Sequence, residues 1–100
     1  MRLPKAERRA ELLDAALHIA ERIGADKVTH DLVAQHAEVT RTLVIHYFGT
    51  APQLRRDIMR AAVKRRIVPI VARGIALRDA HALKADDALR VLALAHLARA

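Results

Sequence analysis

Between Val28 and Phe48 the chain reads VTHDLVAQHAEVTRTLVIHYF, and this stretch restricts the fold more than any other. Thr29 and Thr40 each stand where a side-chain oxygen would accept from a free N–H in the first turn of a helix. Leu32, Val33, Ala34 and Ala37 follow the first threonine at helical spacing, and Val44 and Phe48 follow the second. The pattern predicts one helix from about Thr29 to Ala37 and another over Arg41–Tyr47, with a tight corner between them. Val33, Ala37, Val39, Val44 and Phe48 are the expected inward positions, with small Ala37 admitting the neighbouring axis and Val39 plugging the corner. Few physical reasons exist for two helices so short and so close in a basic chain. The leading one is a helix-turn-helix, whose second helix enters the major groove of DNA.

The flanking segments fit that placement. From Arg8, the residues Leu12, Leu13, Ala16, Leu17, Ile19, Ala20 and Ile23 recur at helical spacing, and Gly24 is the expected stop. Pro4 in MRLPKAER suits a helix start behind a short basic arm. After a turn at Gly49 and Thr50, a longer helix is expected from about Pro52 to Arg66, with Leu54, Ile58, Met59, Ala62 and Val63 inward. Pro69 then requires a kink near Val68 or a fresh helix over Pro69–Arg78. Ala80–Ala82 read as the start of a loop, and Asp86 or Asp87 as the cap of a last helix bearing Leu89, Leu92, Ala93, Leu94 and Leu97.

Composition agrees with an all-α chain. Tyr47 and Phe48 are the only aromatics other than histidine, so Ala, Leu, Val and Ile must fill the core, and three glycines and three prolines leave little turn chemistry for a sheet. One hundred residues suit one small folded unit. Within it, residues 1–51 are read as the helix-turn-helix three-helix core. Residues 52–100 are read as a longer helix plus a short C-terminal hairpin that serves dimerisation. Two greasy C-terminal helices exceed what one core needs, and a closed homodimer is the natural outlet, with another protein as the other candidate partner. The formal charge of +7 points to a polyanion, and Arg55, Arg56, Arg60, Lys64, Arg65 and Arg66 form its densest run. Absence of cysteine excludes disulfides and thiolate metal sites. No apolar run is long enough to cross a bilayer and none is of signal-peptide type, so no membrane partner and a cytoplasmic location are expected.

On the expected recognition helix, the N-terminal N–H groups and Thr40 suit a phosphate. Arg41 suits guanine O6 and N7, Thr42 and Leu43 a thymine methyl, and His46 and Tyr47 the backbone. Together with Thr29, these six residues make up the expected DNA-binding set.

The arrangement resembles the amino-terminal DNA-binding domain of the TetR (tetracycline-repressor-like) family of bacterial transcription regulators. Gly24, Val28, Thr29, Val33, Ala34, Ala37, Val39, Thr40, Leu43, Val44, Tyr47, Phe48 and Leu54 fall on matching places, within roughly Arg8 to Arg60. The resemblance implies a duplex-DNA-binding regulator, a repressor acting as a dimer. It also implies a phosphate contact at Tyr47 and base contacts at Arg41, Thr42 and Leu43. The chain departs from the family at Glu38, where glycine is usual, at Ile45, where tyrosine is usual, and at Ala51, where lysine is usual. Each departure removes or opposes a backbone contact, and Arg55 and Arg56 are the candidates to compensate. Only about forty residues follow the resemblance, too few for the family's usual enclosed effector chamber, so direct induction by a small molecule is not expected.

A protein-interaction or accessory protein reusing the scaffold is the competing reading, and the three departures favour it. An enzyme is not expected. Asp14, Asp31 and Asp57 lack convergent histidines, His30, His36, His46 and His81 are scattered, and no glycine-rich phosphate loop is present. No catalytic residue, cofactor or metal is therefore assigned.

Overall fold

The computed structural model describes residues 4–99, which form seven α-helices and one 3₁₀ turn, with no strand among them. Helix α1 spans Lys5–Ile23 behind Pro4 and buries Leu12, Leu13, Ala16, Leu17 and Ala20. It ends at Gly24, whose φ of 92° is open to glycine and strained for other residues. A 3₁₀ turn at Ala25–Lys27 leads to Val28, which is fully buried. Thr29 Oγ1 then accepts from the Leu32 N–H at 3.2 Å and starts α2, His30–Ala37. Thr40 Oγ1 does the same for the Leu43 N–H at 3.1 Å and starts α3, Arg41–Phe48. The expected pair of short helices is therefore present, each capped by its threonine.

Helix α4 runs over Ala51–Lys64, ending short of the expected Arg66. Its start is held by a reciprocal box: Thr50 Oγ1 accepts from the Gln53 N–H, and Gln53 Oε1 accepts from the Thr50 N–H. The chain breaks before Pro69 rather than kinking, and α5 begins afresh as Val68–Ala76 with Pro69 in its first turn. The loop expected at Ala80–Ala82 is instead a single helical turn, α6, Ala80–Leu83. Asp79 causes this, because its Oδ1 accepts from the His81 and Ala82 N–H groups at 2.9 and 3.0 Å. Asp86 is the cap of α7, Asp87–Arg99, accepting from the Leu89 N–H at 2.8 Å.

Three helices end in the same way. After α2, α4 and α5, the residues Glu38, Arg66 and Arg78 take φ values of 57°, 57° and 61°. The next N–H reaches back to the carbonyl five residues earlier: Val39 to Ala34, Ile67 to Ala62, and Asp79 to Gly74. This is the glycine-type helix ending, built here on long charged residues. Val39 and Ile67 pack on the core immediately after the reversal, so burial holds a conformation the local backbone disfavours.

One core cluster contains Leu12 and Ala16 of α1, Val33 of α2, Val44 and Phe48 of α3, Leu54 and Ile58 of α4, Ile70 of α5 and Leu89 of α7. Helices α5 and α7 pack against each other, while α1, α2 and α3 pack in succession and α1 and α3 both meet α4, in a body 43 Å long and about half as wide. Gly74 is a close-packing point: a Cβ there would strike Met59 Cε and lie 2.8 Å from Ala82 Cβ.

Arginine–aspartate pairs tie distant segments across this body. Arg65 meets Asp14 at 2.6 Å, Arg66 meets Asp86 at 2.6 Å, and Arg73 meets Asp26 at 2.6 Å. Two of the six cations in the densest basic run, Arg65 and Arg66, are thus paired with carboxylates across the surface. The hydrogen bond from Arg73 holds the Asp26 carboxyl below the ordinary carboxylate range, and Arg66 does the same for Asp86.

Candidate nucleic-acid interface

The recognition helix α3 is half inside and half outside, as its register requires. Val44 and Phe48, four residues apart, are fully buried or nearly so. Thr40, Arg41, Thr42 and His46 are exposed, as is Thr29 at the head of α2. Leu43 and Tyr47 are only half-buried positions, and Tyr47 packs partly on the core. That placement limits the expected DNA-binding set: Leu43 offers an edge rather than a whole side chain. Tyr47 stands edge-on to His46 with ring centroids 5.2 Å apart.

Both cap hydroxyls keep a free donor after capping. Each oxygen accepts a backbone N–H, which leaves its own O–H proton free to donate outward. Thr29 and Thr40 can therefore hold their helices and donate to a phosphate oxygen together. Arg41 differs from the simple expectation. Its Nε lies 3.3 Å from Asp31 Oδ1 of α2, and both side chains are more than half exposed. So open a pair is weakly held, and the guanidinium is available to exchange the carboxylate for a stronger acceptor.

Two contacts that locate α3 were not legible as site features. His30 is the one buried polar or charged residue among those described, and its Nε2–H donates to the Gly49 carbonyl at 2.8 Å. The carbonyl can only accept, which sets the donor. This bond joins the start of α2 to the end of α3 and so fixes the crossing of the two helices. Arg9 of α1 lies over the Phe48 ring, 4.7 Å from its centroid, and pairs with Asp57 of α4 at 3.0 Å. It braces the far end of α3 against two helices. A histidine after a cap threonine and an arginine on an amphipathic helix carry no sequence signal for these roles.

The two arginines proposed to compensate for lost backbone contacts part company. Arg56 lies with Phe48, Gly49, Gln53, Asp57 and Arg60 around a polar hollow beside the end of α3. Arg55 instead lines a cavity with Ala25, Asp26 and residues of α5. Glu38 is exposed in the corner and makes no ion pair among the described residues. Ile45 is exposed by 37%, on the outer side of α3.

Residues 12–63 match the family model for bacterial regulatory proteins of the tetR family. The chain belongs to the tetR family. Among curated relatives it is similar to the HTH-type transcriptional regulator BetI of Paraburkholderia phytofirmans, 37% identical over 67 residues, covering 59% of this chain and 34% of the relative. It is also similar to the BetI regulator of Burkholderia mallei, 34% identical over 88 residues, covering 80% of this chain and 45% of the relative. The chain thus spans less than half the length of these relatives. No solved structure gives a significant match. The matched region ends inside α4, so α5, α6 and α7 lie beyond the family model. No described helix is long and apolar enough to cross a membrane, and no group of three or more metal-ligating side chains is present among the described residues.

Proposed function

We propose that this tetR-family chain is a sequence-specific duplex-DNA-binding transcriptional regulator, a repressor acting in the cytoplasm as a dimer and without enzymatic activity. The observation that carries the reading is the first turn of α3, where Thr40, Arg41 and Thr42 stand clear of a buried Val44–Phe48 anchor. In a major groove, Arg41 leaves Asp31 for guanine O6 and N7, and Thr42 with the exposed edge of Leu43 packs on a neighbouring base. The O–H groups of Thr29 and Thr40, the Tyr47 hydroxyl and His46 meet phosphates and set the register of the protein. The similarity to HTH-type transcriptional regulators supports the same reading.

Residues 1–51 are proposed as the DNA-binding core and residues 52–100 as the dimerisation region. Val91, Leu92 and Leu94 of α7 are each more than half exposed, and Ile75, Leu83, Val91 and Leu94 line a groove beside Asp87 and Arg90. A helix apolar on its outer as well as its inner side needs a cover. A second copy would supply it and would bring two α3 helices to half-sites about one turn of duplex, roughly 34 Å, apart.

The test is fluorescence anisotropy on a duplex selected from a random pool, read as a function of salt. Affinity should fall steeply with salt, and Arg41→Ala should flatten the difference between selected and scrambled duplexes. Equal binding to selected duplex, scrambled duplex and heparin would refute the reading. It would favour instead a protein-interaction role, for which the same α7 face is the available surface.

A further inference from the structure

Beside the C-terminal end of α3 lies a hollow of about 300 Å³, lined by Phe48, Gly49, Gln53, Arg56, Asp57 and Arg60. The hydrogen-bonding groups of its wall are unevenly used. Its acceptors are engaged: the Gly49 carbonyl by His30 at 2.8 Å, Gln53 Oε1 by the Thr50 N–H at 2.8 Å, and Asp57 Oδ2 by Arg9 at 3.0 Å. Arg9 thereby offsets the one carboxylate of the wall.

The donors, by contrast, are left over. Arg56 is exposed and makes no ion pair among the described residues. Arg60 is also exposed and donates from Nε to His81 Nε2 at 3.2 Å, which steadies its guanidinium and leaves both Nη groups uncommitted. The Gln53 side-chain NH₂ is free, because the cap at Thr50 uses only its carbonyl oxygen. Gln53, Arg56 and Arg60 follow one another at spacings of three and four, so they share one face of α4. Like charges one turn apart repel, and an anion between them removes that repulsion.

We infer that this hollow is a binding site for a phosphoryl group, held by the Arg56 guanidinium, the Nη groups of Arg60 and the Gln53 NH₂. Several acceptor oxygens on one anion match several donors arranged around one space, and guanidinium forks suit phosphate. At about 30 Å³ per water-sized group, the volume takes a phosphoryl group together with some of its water. The phosphoryl group is either a backbone phosphate of a duplex or a free phosphate. The first source rests on the DNA-binding reading. Helix α3 rises about 1.5 Å per residue, so the hollow stands roughly 10 Å along α3 from Arg41. That is close to the major-groove width of about 12 Å, and it brings the hollow near a strand when the first turn lies among the bases. Gln53 and Arg60 are outside the expected DNA-binding set, and such a contact would widen the footprint beyond α3.

Two measurements on the full chain separate the sources. In the first, anisotropy on the selected duplex is read against salt. Arg56→Gln with Arg60→Gln should lower the slope of log affinity against log salt by about 0.9, the share of one phosphate. Lys64→Gln removes the same kind of charge from an exposed α4 position outside the wall and should leave the slope unchanged. In the second, with no DNA present, thermal melts follow sodium phosphate against sodium chloride at equal ionic strength. Phosphate also stabilises proteins by exclusion from their surface, an effect every variant shares, so the difference between parent and Arg56→Gln reads the site. At ten times Kd, phosphate should raise the folded-to-unfolded ratio of the parent about elevenfold more than that of the variant. A lowered slope identifies a backbone phosphate as the occupant. A difference in the melts alone identifies free phosphate, and it stands even where the parent shows no preference for duplex. The proposal is overturned if neither measurement separates Arg56→Gln from the parent, or if Lys64→Gln behaves as Arg56→Gln does.

Discussion

Glycine in place of Glu38 separates two costs that one residue imposes on the corner of the motif. Glu38 ends α2 at φ 57° and ψ 46°, in the left-handed region. A side chain with a Cβ sits there at a cost of about 1–2 kcal/mol. Glycine removes that cost but loses about 0.5–1 kcal/mol through the greater freedom of the unfolded chain. The net expectation for Glu38→Gly is a gain of about 0.5–1 kcal/mol, which for a domain of this size raises Tm by roughly 2–8 °C. Glu38→Ala retains the strained φ and should be no more stable than the parent. On DNA the order changes, because both variants remove the same carboxylate from beside the recognition helix. At a separation of about 10 Å in water, one carboxylate–phosphate repulsion is worth about 0.4 kcal/mol before salt screening, near a twofold effect per phosphate. Urea or thermal melts should rank glycine above alanine, whereas anisotropy at low salt should show both variants binding more tightly than the parent. Equal stability of the glycine and alanine variants would refute the backbone argument. Unchanged affinity in both would place the corner away from DNA.

Other expectations follow from the same geometry. Thr40→Ala should cost about 1 kcal/mol through the lost cap and weaken binding to all duplexes alike, seen by melting and anisotropy. His30→Ala empties a buried site and orphans the Gly49 carbonyl, so a loss of about 2–3 kcal/mol is expected in urea unfolding. Because Arg73 depresses the Asp26 pKa, the stability from this pair is complete above the ordinary aspartate range, near pH 4, and is lost as pH falls through the lower folded value. Melts between pH 2 and 5 should therefore show a shallower acid loss in Arg73→Met than in the parent. Val91→Asp with Leu94→Asp places charge on the outer face of α7, and light scattering at micromolar concentration should then report a monomer for the variant and a dimer for the parent.

Local chemistry made the first half of the chain legible. A cap hydroxyl acts on N–H groups two or three residues away, and glycine acts on its own φ, so Thr29, Thr40 and Gly24 announced their helix boundaries unaided. The i, i+4 spacing of Val44 and Phe48 likewise implied which side of α3 would be buried and left Arg41 and Thr42 outside. Similar local reasoning ran out at Arg66, because the left-handed residue ending α4 is a charged one, held there by the burial of Ile67 behind it. It also missed the α6 turn, although Asp79 stood directly before it as a cap.

Short-range forces along the chain, then, decided where helices start, stop and turn their greasy sides. Folding alone decided the partners of the long polar side chains, since their reach spans many candidates that sequence distance does not order. Arg9 braces Phe48 from thirty-nine positions away, His30 bonds to Gly49, and Arg65 and Arg66 reach across the surface to Asp14 and Asp86.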